Sequence, residues 1–92
     1  MFSIIYTTAF KKDYKRLTKR GYNMSLLDDV INRLSMGEPL EMKYYDHPLK
    51  GQLNDFRECH IQSDWILVYR IDGDVLTLTL SNTGTHSDIF GR

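Results

Sequence analysis

Apolar residues in the first third of the chain recur at helical spacing. Phe10, Tyr14 and Leu17 fall at i, i+4 and i+7, and Leu26, Leu27, Val30, Ile31 and Leu34 mark one face of a second stretch. Such a period lays each set along one side of a helix. Thr7 or Thr8 can cap the first helix, and Asn23 or Ser25 the second, by accepting from an amide that has no partner inside the helix. Gly21 ends the first helix. Gly37-Glu38-Pro39 stops the second, because proline cannot continue the hydrogen-bond ladder. Ahead of both, Ile4, Ile5 and Tyr6 read as a short strand. The pattern predicts a helical hairpin with its apolar faces turned onto a sheet.

Residues 40–52 have no clear period and read as a loop. Beyond residue 53 the pattern becomes that of strands. Segments 56–62, 65–71 and 75–81 are rich in β-branched and aromatic residues. Gln62-Ser63-Asp64 and Asp72-Gly73-Asp74 supply the turns, the Asp-Gly pair being a strong hairpin signal. Alternation along these strands puts Leu76, Leu78 and Leu80 on one face as core, with Val75, Thr77, Thr79 and Ser81 on the other. It also turns Cys59 and Ile61 one way and Phe56, Glu58 and His60 the other. A carboxylate and an imidazole are thus expected on the sheet face opposite the helices. The expected fold is α+β: one domain over residues 1–92, with an N-terminal strand and a two-helix hairpin packed on an antiparallel sheet.

Composition narrows the function classes. Ninety-two residues leave room for one core. The single cysteine, Cys59, rules out an intramolecular disulfide and a cysteine-based zinc knuckle. No apolar run approaches the roughly twenty residues of a membrane helix. The start, Met1-Phe2-Ser3-Ile4-Ile5-Tyr6, lacks the basic flank and long apolar centre of a secretion signal, so a cytoplasmic location with no membrane partner is expected. Net charge is zero, but it is unevenly spread. Residues 11–20 hold Lys11, Lys12, Lys15, Arg16, Lys19 and Arg20 against Asp13 alone. That stripe is open to three uses: a solvated helix face, a polyanion contact, or a dock for an acidic protein segment.

All three histidines, His47, His60 and His86, lie in the second half beside turns or strand ends. Imidazole titrates near pH 6.5 and is the usual carrier of protons at neutral pH. Scattered surface histidines would look the same on spacing alone, and Asp64 is equally an ordinary turn residue.

Four segments in order narrow the choice: Asp46-His47-Pro48-Leu49-Lys50-Gly51, Phe56-Arg57-Glu58-Cys59-His60-Ile61, Asp64-Trp65-Ile66-Leu67-Val68-Tyr69 and Thr83-Gly84-Thr85-His86-Ser87-Asp88-Ile89-Phe90. Together with the helical hairpin before them, they resemble the YafQ branch of the RelE toxins over nearly the whole chain. The resemblance implies a microbial-ribonuclease-type fold that enters the ribosomal A site and cleaves the bound message, with a cognate antitoxin, the ribosome and mRNA as partners. It marks His47, His60, Asp64 and His86 as the acid–base group and accepts Glu58 where the pattern often has aspartate. It marks Phe90 as a substrate-contacting aromatic. Arg57 and Lys50 match neighbouring positions, for which phosphate contact and structural roles are both open.

Asn82 departs from the pattern, standing where the resemblance calls for an arginine that neutralises charge on the phosphate. Losing such an arginine can cost about 10³-fold or more. Three accounts are open: a natural weak enzyme, compensation by another cation such as Arg57 or Arg70, or an engineered inactive variant. The expected chemistry is attack by the RNA's own 2′-hydroxyl, without cofactor or metal. His86 is expected as general acid, His60 or Asp64 as base, and His47 as a phosphate contact or a partner in the base role. The alternatives are a metal-dependent nuclease built on the same histidines and a carboxylate, and a non-enzymatic module that pairs with its antitoxin and represses their promoter.

Overall fold

The computed structural model describes residues 1–91; Arg92, the last residue of the expected domain, lies outside them. Strand β1 (Ser3–Tyr6) leads into α1 (Thr8–Lys19) and α2 (Met24–Ser35). Two short 3-10 turns, Met42–Tyr44 and Gly51–Leu53, flank a two-residue strand β2 (His47–Pro48). Strands β3 (Arg57–Gln62), β4 (Trp65–Asp72) and β5 (Thr77–Thr85) follow, and a short helix α3 (His86–Phe90) ends the fold.

The helix signals act as their chemistry requires. Thr7 caps α1, its hydroxyl accepting from the Phe10 amide. Gly21 and Gly37 follow the two long helices at positive φ, where a side chain would be disfavoured. Asn23 occupies the N-cap position of α2 without a side-chain capping bond. Phe10, Leu17, Leu27, Val30, Ile31 and Leu34 from the helices meet Cys59, Ile61, Leu67, Tyr69, Leu78 and Leu80 of the sheet in one buried cluster. The two long helices on one face are the arrangement the periodicity predicts; the opposite face, which carries Glu58 and His60, is partly covered, with Ile66 and Val68 of β4 buried there.

The sheet runs in the order β1-β5-β4-β3-β2. The meander of β3, β4 and β5 is antiparallel, but β1 joins the edge parallel to β5, so the sheet is mixed rather than wholly antiparallel. Apolar alternation sets which face a strand buries and carries no information on the direction of its neighbour.

Two further expectations shift. The β4–β5 connection spans residues 73–76, because Asp72 pairs with Thr77, and Leu76 sits in that turn at φ 49° and 55% exposed rather than in the core. Strand β5 also continues past Ser81 to Thr85. Its register slips at Ser81, where Val68 pairs with Asn82 but Tyr69 pairs with Leu80. This bulge resumes the ladder over a polar segment with no hydrophobic alternation to announce it.

Among the described residues no strand pairs with the outer edge of β5 past Tyr6, and α1 lies against it. The Thr7 hydroxyl donates to the Leu80 or Ser81 carbonyl, at 2.9 and 3.0 Å. Asp13, buried among the lysines of α1, accepts from the Thr83 amide at 3.1 Å, Asn82 Nδ2 at 3.2 Å and Arg16 Nη2 at 2.8 Å. Covering an open strand edge removes a template for unwanted pairing.

Candidate active site

Strand alternation turns Glu58 and His60 away from the helices, while Cys59 and Ile61 enter the core. β2 pairs His47 directly with Glu58. The tight β3–β4 turn carries Asp64, and β5 delivers His86 at the first position of α3. Side chains from four places in the chain therefore converge on one sheet face.

Their common point is Glu58. The residue is only 5% exposed, and one carboxylate oxygen, Oε1, lies 3.0 Å from His86 Nε2, 3.5 Å from His60 Nε2 and 3.9 Å from His47 Nε2. A buried carboxylate is costly unless positive or hydrogen-bonding groups surround it; here three imidazoles do so.

His86 is held at both ends of its ring. Nδ1 lies 2.7 Å from Asp64 Oδ1, and Nε2 lies 3.0 Å from Glu58 Oε1. Carboxylates only accept, so both contacts are satisfied together by the imidazolium, which has two N–H donors. The Asp64 bond raises the His86 pKa above the ordinary histidine value; burial opposes it, and the weaker Glu58 contact adds to the rise. The same bond, joined by one from the His86 amide, lowers that of Asp64.

His47 is fixed differently. Its Nδ1 lies 2.8 Å from the Tyr45 carbonyl, an acceptor, so Nδ1 carries the proton. In the neutral ring Nε2 then keeps its lone pair, on the side facing Glu58.

The base of α3 is a capping box: Thr85 Oγ1 accepts from the Asp88 amide, and the Asp88 carboxylate accepts from the Thr85 amide. Arg20 at the end of α1 grips Asp88 with both terminal nitrogens, at 2.8 and 3.1 Å. Gly84 precedes the box at φ 148°, and a Cβ there would meet Asp88 Oδ2 at 2.9 Å. Only glycine lets the two segments approach this closely.

The sequence-predicted residues thus divide. His47, Glu58, His60, Asp64 and His86 come together, with the Phe90 ring 6.1 Å from that of His86. Arg57 does not join them. It lies on the opposite side of β3 from Glu58 and pairs with Asp46 at 3.3 Å, while the Tyr69 hydroxyl donates to the same Asp46 oxygen. Strand alternation separates it from its neighbour, and its contact with Asp46 ties β3 to the loop that carries His47. Lys50 is exposed at the start of the Gly51–Leu53 turn, beyond β2. Asn82 turns to Asp13 on α1 and accepts from the Ser81 hydroxyl.

Two residues escaped sequence reasoning. Asp13 carried no signal beyond being the one acid in a basic run. Tyr45 stands just before the Asp46-His47 pair, and its ring lies 4.7 Å from that of His47 and 5.6 Å from that of His60.

One oxygen of Glu58 with one ring nitrogen each of His60 and His86 lie within 4.8 Å of one another. Two imidazoles and a carboxylate suit zinc or copper, so the same groups that can move protons can also hold an ion.

Comparison with known proteins converges on one family. The model described as "Bacterial toxin of type II toxin-antitoxin system, YafQ" matches residues 2–91. The chain is 36% identical over 89 residues to the mRNA interferase toxin YafQ of Escherichia coli strain K12, covering 96% of this chain and 95% of that one. A metal-bound toxin from Helicobacter pylori superposes with a TM-score of 0.91 at 47% identity, covering 98% of this chain and all (100%) of the other. YafQ in the E. coli DinJ–YafQ toxin-antitoxin complex superposes with a TM-score of 0.89 at 35% identity, over 98% of both chains.

Proposed function

The chain belongs to the YafQ family of type II toxin–antitoxin toxins, and we propose that it is a metal-independent endoribonuclease that cuts mRNA in the ribosomal A site and so stops translation. What most supports this is the convergence of three imidazoles on one buried carboxylate oxygen, with one ring poised as an acid and another as a base.

His47 Nε2 takes the proton of the RNA 2′-hydroxyl, since its Nδ1 proton is committed to the Tyr45 carbonyl. The freed oxygen attacks the adjacent phosphorus, and the bond from phosphorus to the 5′-oxygen breaks. His86 gives that leaving oxygen its Nε2 proton, which rests on Glu58 in the free protein, while Asp64 steadies Nδ1. His60, between the two, meets the phosphate. The products are a 2′,3′-cyclic phosphate and a 5′-hydroxyl. Asp64, expected above as a candidate base, is thereby reassigned as the partner of the acid, because its lowered pKa makes it a poor proton acceptor.

A cognate antitoxin is the second partner. Lys12, Lys15, Arg16 and Lys19 of α1, with Arg20 at its C-cap, form one basic helix face, suited to an acidic segment or to ribosomal RNA. No helix among the described residues is long and apolar enough to cross a membrane, and the reaction belongs in the cytoplasm, where ribosomes are.

Asn82 supports a second reading. Uncharged and engaged with Asp13, it supplies no cation to the phosphate, as befits a weakened toxin that acts through antitoxin pairing and promoter autoregulation. The test is cleavage of a defined message in a purified translation system, with and without ribosomes, by the wild-type chain, His86→Ala and Asn82→Arg. Ribosome-dependent cutting that survives chelator and drops about 10²- to 10⁴-fold in His86→Ala, with the variant still folding cooperatively, is the expected result. Added zinc should inhibit by occupying the acid. Wild-type rates from His86→Ala would remove the assigned acid. Cutting by Asn82→Arg alone would establish the weakened-toxin reading.

A further inference from the structure

Tyr45 follows the Met42–Tyr44 turn in the left-handed conformation, at φ 47° and ψ 49°. That region suits glycine or asparagine and strains a bulky side chain. The residue is also 66% exposed, so neither backbone preference nor burial accounts for a tyrosine there. Its ring is nonetheless held in place against His47 and His60. At the far end Phe90, 37% exposed, lies against His86 with the ring planes 30° apart. The three imidazoles form a row, with centroids 6.4 Å from His47 to His60 and 5.8 Å from His60 to His86. Tyr45 stands beside the His47–His60 pair and Phe90 beside His86, so an exposed aromatic ring flanks the row toward each end.

This arrangement has a consequence for a bound nucleotide pair. In-line attack of a 2′-hydroxyl on the adjacent phosphorus requires the linkage to leave its stacked helical geometry, so the two bases beside the cleaved linkage are splayed apart. Each base then needs its own platform, and aromatic faces are what unstacked bases use. We propose that Tyr45 is a base-stacking residue that holds the nucleobase on the opposite side of the cleaved linkage from the base that meets Phe90. The assignment rests on the RNA-cleavage reading above and adds a residue and a role to it. Tyrosine stacks on any base, so the contact positions the message without selecting its sequence.

The test uses a ribosome-bound message whose A-site codon is blocked at the scissile linkage by a 2′-O-methyl group, with 2-aminopurine placed on one side or the other. Wild-type protein should quench the probe on both sides. Tyr45→Gly should lose quenching on one side and weaken binding about five- to hundredfold, with thermal stability unchanged or raised because glycine relieves the backbone. Tyr45→Phe should retain the quench, and Phe90→Ala should lose it on the other side. Binding with full quenching by Tyr45→Gly overturns the assignment and leaves the ribonuclease reading standing. Lower stability of Tyr45→Gly with the quench intact also overturns it, in favour of a structural role. A wild-type chain that does not bind the programmed ribosome removes the RNA reading and this assignment with it.

Discussion

His86 shows how much one side chain owes to its neighbours. An exposed histidine is mostly neutral at pH 7, and a neutral imidazole between two carboxylates would set a lone pair against one of them. With Asp64 on one nitrogen and Glu58 on the other, the proton is held more tightly and the pKa rises. A general acid must be protonated to work, so cleavage should fall as pH rises through the His86 pKa, on a limb displaced above about 6.5. The Asp64 bond is the largest cause of the shift. Asp64→Asn should therefore move that limb toward lower pH and lower the rate at neutral pH. A pH–rate profile of the two proteins checks this, and coincident limbs would show that Asp64 does not set the acid. Glu58 was legible from alternation, which put it on the same face as His60. Its meeting with His47 and His86 was not, since 11 and 28 residues separate them in the sequence.

At the scale of elements, α3 is the weakest piece. Five residues cannot hold a helix by themselves, because nucleating the first turn costs more than one hydrogen bond returns. The capping box supplies local closure, and Arg20 ties the box to α1. Asp88 shows that grip in a pKa held well below the usual carboxylate range, chiefly by the Arg20 bond. Arg20 is a positioning residue for His86. Arg20→Ala should lower kcat about ten- to hundredfold, as small misplacements of an acid do, with KM less affected. Arg20→Lys should recover part of the loss. Global unfolding should move little, since an exposed pair contributes little to stability. An unchanged kcat would show that α3 holds His86 without the latch. The caps of α1 and the stops after both long helices could be read from sequence, because they are local chemistry. The hairpin turn at residues 73–76 could not, because the partner strand decides where pairing begins.

For the molecule as a whole, the same contacts link stability to pH in opposite senses. His86 has a raised folded pKa, so its stabilisation is complete below about pH 6.5 and is lost as pH climbs through the folded value. Asp64 and Asp88 have lowered folded values, so theirs is complete above about pH 4 and is lost as pH falls through those values. Thermal unfolding should therefore show its broadest contribution from these groups between about pH 4 and 6.5. His86→Gln should flatten the alkaline side. If it leaves both sides unaltered, the contacts of His86 do not couple to folding. The zero net charge likewise hides a separation, with cations gathered on α1 and the carboxylates Glu58 and Asp64 at the histidine row.

By itself the sequence determined the two amphipathic helices, the three meander strands, the core faces of β3 and most of β5, and which side chains are candidates for moving protons. These follow from periodicity, caps and side-chain chemistry, which act within a few residues. The ordered motifs added the family. Tertiary structure alone decided that β1 lies parallel to β5, that Leu76 leaves the core, and that Arg57 anchors a loop while Asn82 turns to Asp13. It also decided that Tyr45 stands beside the histidines. Each of these depends on which strand lies next to which and in what register. That is set by contacts between residues far apart in the chain, and pairing energies between distant segments leave no periodic trace in either one.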